Sequence, residues 1–153
     1  MPVEYSMQYI GVAIFITVLI ILLFKRRDVK KYIPVGLFAI VYANLWCYFA
    51  EYTKLWSFPM RLFPKITIVP IAFNYFILPV MIILWLKYCP GTLKGKIIWA
   101  LAWSLLIIGV EFAVTRYTKF LDYTNGFDIH ISFVLWLISW FIFYRFHHWI
   151  SSE

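Results

Sequence analysis

Glu111 is the residue in this chain most in need of a chemical explanation, because it stands inside an apolar stretch covering residues 97–115. A carboxylate near the middle of such a helix costs on the order of 2.5–3.5 kcal/mol on membrane-insertion scales, so something must compensate. Ser104 lies seven residues before it and Thr115 four residues after. At about 3.6 residues per turn the three form one polar stripe, which must face other helices. Arg116 sits about 140° around the same helix and is a poor partner for it. Two chemistries remain open: a carboxyl group hydrated or hydrogen-bonded to a neighbouring helix, and a group that exchanges protons or binds a cation.

Three further constellations carry polar chemistry. Asn44, Tyr48 and Glu51 recur at spacings of four and three, which puts amide, phenol and carboxylate on one helical face. Asn44 suits helix-to-helix bonding, and Glu51 reaches the boundary where water solvates it. Asn74 lies between Pro70 and Pro79. Each proline lacks an N–H and disturbs bonding to the carbonyl four residues back, here those of Ile66 and Tyr75. A kink is the simple outcome, with Asn74 bonding the freed carbonyls; a broken helix exposing backbone to an ion or substrate is the functional one. His130 follows Asp128 at the start of the last apolar stretch, at about the level of Glu51 and Glu111. Glu51, Asn74, Glu111 and His130 are therefore expected to meet in a polar cavity open toward the outside. Such a cluster could shuttle protons or bind a divalent cation, and its activity should change between about pH 5 and 8. No His-Glu-x-x-His or Cys-x-x-Cys motif, phosphate loop or nucleophile elbow is present, so no metal site and no cofactor is implied. His147 and His148 point about 100° apart on a helix and cannot pair as ligands; they read as boundary residues.

The elements that must position these groups are five apolar stretches, residues 9–24, 33–50, 66–86, 97–115 and 129–146. Each is close to the ~17–25 residues that cross a bilayer as a helix. Hydrophobic residues make up 64% of the chain and charged ones only 14%, against ~45–50% apolar in soluble domains, which excludes a soluble reading. The expected fold is all-α: a polytopic integral membrane helical bundle of five transmembrane helices, with residues 1–153 forming one transmembrane domain. The net charge of +7 resides at the ends of the apolar stretches, so nucleic acid is set aside as a partner and the bilayer takes its place. Lys25, Arg26, Arg27, Lys30 and Lys31 follow the first stretch and mark a cytoplasmic loop. Alternating from there gives nine cationic residues inside and five outside, hence an outside N-terminus and a cytoplasmic C-terminus. The first eight residues contain Glu4 and no Lys or Arg, so the first stretch is expected to stay rather than be removed as a signal peptide.

Trp99, Trp103, Trp140, Tyr144 and Trp149 cluster near cationic residues and read as an aromatic belt at the inner boundary. Residues 51–65 mix Leu55, Trp56, Phe58 and Phe63 with Pro59 and Pro64, a composition that suits an interfacial segment along the outer surface, or alternatively a lid. Asn125-Gly126 marks a tight turn in the next outer loop. Cys47 and Cys89 fall in opposite halves of the bilayer, which argues against a disulfide.

The pattern Pro64…Asn74…Pro79, a short basic-aromatic loop, then Glu111, Tyr117 and an aromatic last stretch resembles a family of small, five-span, uncharacterised membrane proteins of spore-forming bacteria. The resemblance covers about half the chain and implies a bacterial cell membrane and a shared bundle, without an activity. The favoured function is a small transport or accessory membrane subunit with an outward-facing polar cluster, acting with a partner membrane protein or as a homo-oligomer. The alternative is a membrane enzyme using Glu51, Glu111 and His130 for acid–base work on a lipid or lipid-linked substrate; no nucleophile or metal motif supports it.

Overall fold

The computed structural model describes residues 3–25 and 27–152, with Lys25 and Arg27 described by their backbone alone. Arg26, part of the cationic run that sets the expected orientation, lies outside the described residues. The chain is all-α with five helices: α1 (Val3–Lys25), α2 (Ile33–Thr53), α3 (Leu78–Lys87), α4 (Leu93–Tyr117) and α5 (Ile129–Ser151). A 3-10 turn, Arg27–Tyr32, joins α1 to α2, and a π-helical turn, Ala72–Ile77, runs directly into α3. Four of the helices are long and apolar enough to cross a membrane: α1, α2 with its preceding turn, α4 and α5. The segment Ala72–Lys87 is apolar but shorter.

That shorter segment corrects the expected helix over residues 66–86, whose first residues are irregular. Helix begins after Pro70, whose carbonyl accepts the N–H groups of Phe73 and Asn74 at 3.0 and 2.9 Å. Pro79 has no N–H for the Tyr75 carbonyl, and the ladder responds by widening: the Leu78 N–H bonds back five residues to Phe73. The outcome is a π turn, which absorbs the missing donor.

Helix α3 buries Leu78, Val80, Met81, Ile82, Ile83, Trp85 and Leu86, and a helix apolar all round belongs in the centre. α2 packs most extensively along it, α1 against the π turn, and α5 on another side. One glycine, Gly11 of α1, permits a closer approach than a side chain would, while Gly36 of α2 leaves ordinary contact distance. A Cβ on Gly36 would meet Ile83 at 3.4 Å, and one on Gly11 would meet Ile77 at 3.2 Å. α4 stands further out and packs extensively on α5 alone. That seam is zipped by tryptophans: Trp140 stacks on Trp85 at 5.1 Å and donates its indole N–H to Ser104 Oγ at 3.1 Å. The belt role expected of Trp140 is thereby corrected, since it is fully buried. Trp99 donates to the Trp85 carbonyl at 3.1 Å, whereas Trp149 is exposed. At this end Lys87 pairs with Asp28 at 3.1 Å, and Lys96 donates to the Tyr144 hydroxyl at 2.7 Å.

The opposite end carries a roof made from two loops. β1 (Trp56–Ser57) and β2 (Asp122–Tyr123) pair antiparallel, Trp56 opposite Tyr123. The pairing extends through Thr124 N–H to the Leu55 carbonyl at 2.8 Å and Met60 N–H to the Lys119 carbonyl at 3.2 Å. Asn125 and Gly126 take φ of 50° and 76°, and Phe127 N–H closes on the Thr124 carbonyl at 3.0 Å, the tight turn that their side chains favour. Residues 51–65 are therefore no flat surface segment: residues 51–53 finish α2, and most of the remainder folds against the second loop. Gln8 of α1 clamps this roof with both ends of its amide, donating to the Met60 carbonyl at 2.8 Å and accepting from Leu62 N–H at 3.1 Å. Arg61 donates to the carbonyls of Thr67, Phe58 and Pro64, which knits the loop internally.

Candidate functional site

Beneath the roof lies a cavity of about 200 Å³, bounded by α2, the π turn, α4, α5 and both loops. Its walls are mostly aromatic and aliphatic, with Trp46, Trp56, Phe73, Phe127 and Trp136 prominent. Rings run continuously around one side: Trp46 and Trp56 are 6.3 Å apart between centroids, Trp56 and Phe127 4.7 Å, Phe127 and Tyr123 5.1 Å. Tyr123 then touches Glu111.

Glu111 is half-buried and accepts three side-chain hydrogen bonds. Tyr123 Oη and Ser132 Oγ each donate to its Oε2 at 2.6 Å, and Trp136 Nε1 donates to its Oε1 at 2.7 Å. Ser132 and Trp136 are four residues apart on α5 and so share the face turned to α4, while β2 delivers Tyr123 from the roof. A carboxylate offers about four acceptor positions, so one on Oε1 is left without a side-chain donor. All three donors are neutral groups. Among the described residues, no Lys, Arg or His lines the cavity, and the single ion pair of the molecule is the distant Lys87–Asp28. Burial first, then the charge of Glu111 and its hold on the phenolic proton, push the Tyr123 hydroxyl well above its ordinary value, which keeps it a neutral donor.

Ser104 and Glu111 do face the bundle, and α5 answers each with a tryptophan N–H. Thr115 takes no part, because its hydroxyl bonds to the carbonyls of Glu111 and Phe112 at 2.9 and 3.1 Å on its own helix. Asn74 is buried and also lines the cavity. Its Nδ2 donates to Asn44 Oδ1 at 2.9 Å and to Cys47 Sγ at 3.4 Å, and Asn44 in turn donates to Tyr75 Oη at 2.8 Å. The expectation that Asn74 repairs carbonyls freed by proline is corrected: it ties the π turn to α2. Cys47 and Cys89 are both free.

The expected meeting of Glu51, Asn74, Glu111 and His130 is likewise corrected, since only Asn74 and Glu111 reach the cavity. α2 turns Cys47 and Ala50 inward. Tyr48 and Glu51 each follow one of these by about 100° and are exposed. His130 is exposed at the start of α5, which Asp128 caps, its Oδ1 accepting the N–H groups of His130 and Ile131 at 2.8 and 3.0 Å. Ser132, two residues on, is the one turned inward. Sequence reasoning missed Tyr123, Ser132 and Trp136. A signal existed for two of them: Ser132, Trp136 and Ser139 recur at four and three and share one face of α5. Ser139 lies 2.9 Å from the Tyr42 hydroxyl, a further α2–α5 bond at the chamber wall. Among the described residues, no three His, Cys, Asp or Glu side chains gather as a metal site would need. A smaller cavity of about 150 Å³ adjoins, between α1, the π turn and α4, sharing Phe73, Val110, Val114 and Phe120 with the first. Comparison of the chain with protein-family models, with curated proteins and with solved structures finds no match.

Proposed function

We propose that this chain is a five-span protein of the cell membrane that acts as a small transport or accessory subunit by holding a mainly apolar molecule in the chamber under its roof. The carrying observation is a single carboxylate, supplied with three neutral donors, in a chamber otherwise walled by aromatic and aliphatic side chains. Concave, largely apolar sites with a few convergent polar groups are the usual form of small-molecule pockets. Membrane residence is supported by the four long apolar helices and by exposed apolar side chains along them, such as Ile10, Ile14, Leu37, Val41, Leu45, Leu105 and Leu106. The third crossing is made by Ala72–Lys87, which reaches only about 24 Å at ~1.5 Å per residue. Its central position shields the α3 part of that segment, which is mostly buried, while Tyr75 and Phe76 of the π turn stay exposed. The nine-to-five distribution of Lys and Arg favours an outside N-terminus, which puts the roof and chamber on the outer side.

The enzyme alternative loses support from the same geometry. Its histidine is exposed on α5 and its second carboxylate on α2 is exposed too, so neither of the two acid–base groups it needs beside Glu111 lines the chamber. The test is binding of a neutral apolar fluorophore, N-phenyl-1-naphthylamine, to the protein in lipid nanodiscs. Ala43→Phe fills the chamber from α2 and should abolish saturable binding. Binding that is absent in the unaltered protein, or unchanged in Ala43→Phe, overturns the reading.

A further inference from the structure

The chamber has a charge to be matched. Glu111 brings a carboxylate into a space bordered by rings, and its three partners bond to that charge without cancelling it. Among the described residues, no cationic side chain lines the walls. A negative group held among low-dielectric walls attracts a positive one strongly. The faces of Trp, Tyr and Phe rings attract cations through their quadrupoles. The open acceptor position on Oε1 lies on the same carboxylate that the ring run reaches through Tyr123.

Resting on the reading of this chamber as a ligand site, we infer that its ligand carries a small organic cation, an alkylammonium or quaternary ammonium group, seated on Glu111 and enclosed by Trp46, Trp56, Phe127 and Trp136. Size narrows the class. A cavity of about 200 Å³ accommodates an ammonium head with one ring or a few methylenes and no two-chain lipid. Charge narrows it again, because a phosphate or carboxylate on the ligand would face Glu111 with no Lys, Arg or His in the walls to bear it. An inorganic cation is disfavoured by the donor set, since among the described residues Glu111 is the one carboxylate in the walls and the Tyr123 and Ser132 hydroxyls beside it are spent as donors to it. Free in solution or attached to a single-chain amphiphile, the ammonium presents the same chemistry to Glu111.

The experiment uses the full chain in nanodiscs of a zwitterionic lipid, read by the fluorescence of its chamber tryptophans. Benzyltrimethylammonium is compared with neopentylbenzene, its neutral isostere, with benzoate, and with dodecyltrimethylammonium for the single-chain source. The expected result is saturable binding of benzyltrimethylammonium about tenfold or more tighter than the isostere, as cation–π and ion-pair attraction in a dry site implies, with no binding of benzoate. Tighter binding of the dodecyl compound assigns the single-chain source, and equal binding assigns the free cation. Glu111→Gln should cut the preference for the cation severalfold, leaving only the share the rings supply, and leave the isostere bound. Equal affinity for cation and isostere overturns this inference while leaving an apolar chamber intact. Failure of all four compounds, together with failure of N-phenyl-1-naphthylamine, overturns the chamber reading itself. The comparison within the unaltered protein stands even if Glu111→Gln does not fold.

Discussion

At the scale of single residues, Glu111 is as much a structural acceptor as a candidate ligand group. Glu111→Ala leaves the donors on Tyr123, Ser132 and Trp136 without their acceptor. With each buried unpaired donor costing about 1–3 kcal/mol, less where water enters, a loss near ~3 kcal/mol is expected in unfolding of the purified protein. A loss below about 0.5 kcal/mol would mean that the three bonds add nothing to stability. Tyr123 supplies a pH signature. Its hydroxyl is raised in the folded chain, so its contribution is fully present below the ordinary phenol value near 10 and is lost as pH rises beyond that. The gap in thermal midpoint between the unaltered protein and Tyr123→Phe should thus be steady from pH 7 to about 9 and shrink above about 10. A gap that widens in that range would refute the assignment.

At the scale of elements, the roof is held by α1 through one side chain. Gln8→Ala strands the Met60 carbonyl and the Leu62 N–H together. Opening of the loop should become easier by about 1–3 kcal/mol, and trypsin should cut after the exposed Lys65 about tenfold faster, provided reclosing outpaces cleavage. An unchanged cutting rate would show that β1–β2 pairing alone holds the loop. The π turn depends on Pro79 in the same local way. Pro79→Ala restores an N–H for the Tyr75 carbonyl and removes the reason for i−5 bonding, so the turn should tighten and Asn74 should rotate away from Cys47. With Asn74→Cys introduced, oxidative crosslinking to Cys47 should be efficient beside Pro79 and fall severalfold with Pro79→Ala. Equal crosslinking would mean that tertiary packing, and not the proline, sets the π register.

At the scale of the whole molecule, the proposed topology puts roof and chamber outside and the Lys87–Asp28 end inside. In a chain with Cys47 and Cys89 replaced by Ser, a cysteine at Asn125 should react with an impermeant thiol reagent added to intact cells, and one at Lys30 should react only after lysis. The reverse pattern would invert the protein and place the chamber at the cytoplasmic face. Looseness is unevenly distributed as well. α4 leans mainly on α5, with cavities on the flank that faces the π turn and α1. α4 is therefore the wall of the chamber least braced by the α2–α3 core.

The sequence by itself determined the four long apolar helices, because their length and composition depend only on which residues are consecutive, but it overran the third stretch, where helix starts only after Pro70. It also determined the Asn125-Gly126 turn and the inward stripe of Ser104 and Glu111, since both follow from backbone preference and from 3.6-residue periodicity. Tertiary structure decided which faces meet. Glu51 and Tyr48 occupy a periodic stripe as plausible as that of Ser104 and Glu111, yet α2 presents Cys47 and Ala50 to the core. Cys47 there meets Asn74 of the π turn, and no count along one helix shows where its neighbour lies. His130 was lost to facing: it stands on the outward side of α5, two residues before the inward Ser132, and the packing of α5 on α4 sets that rotation. Tyr123 carried no periodic signal: it reaches Glu111 because two loops far apart in sequence pair as strands. The depth of Trp140 was hidden for the same reason, since stacking on Trp85 brings together side chains from α5 and α3. Local order is encoded in neighbours along the chain, whereas the chamber exists only where separate elements close around a space that none of them encloses alone.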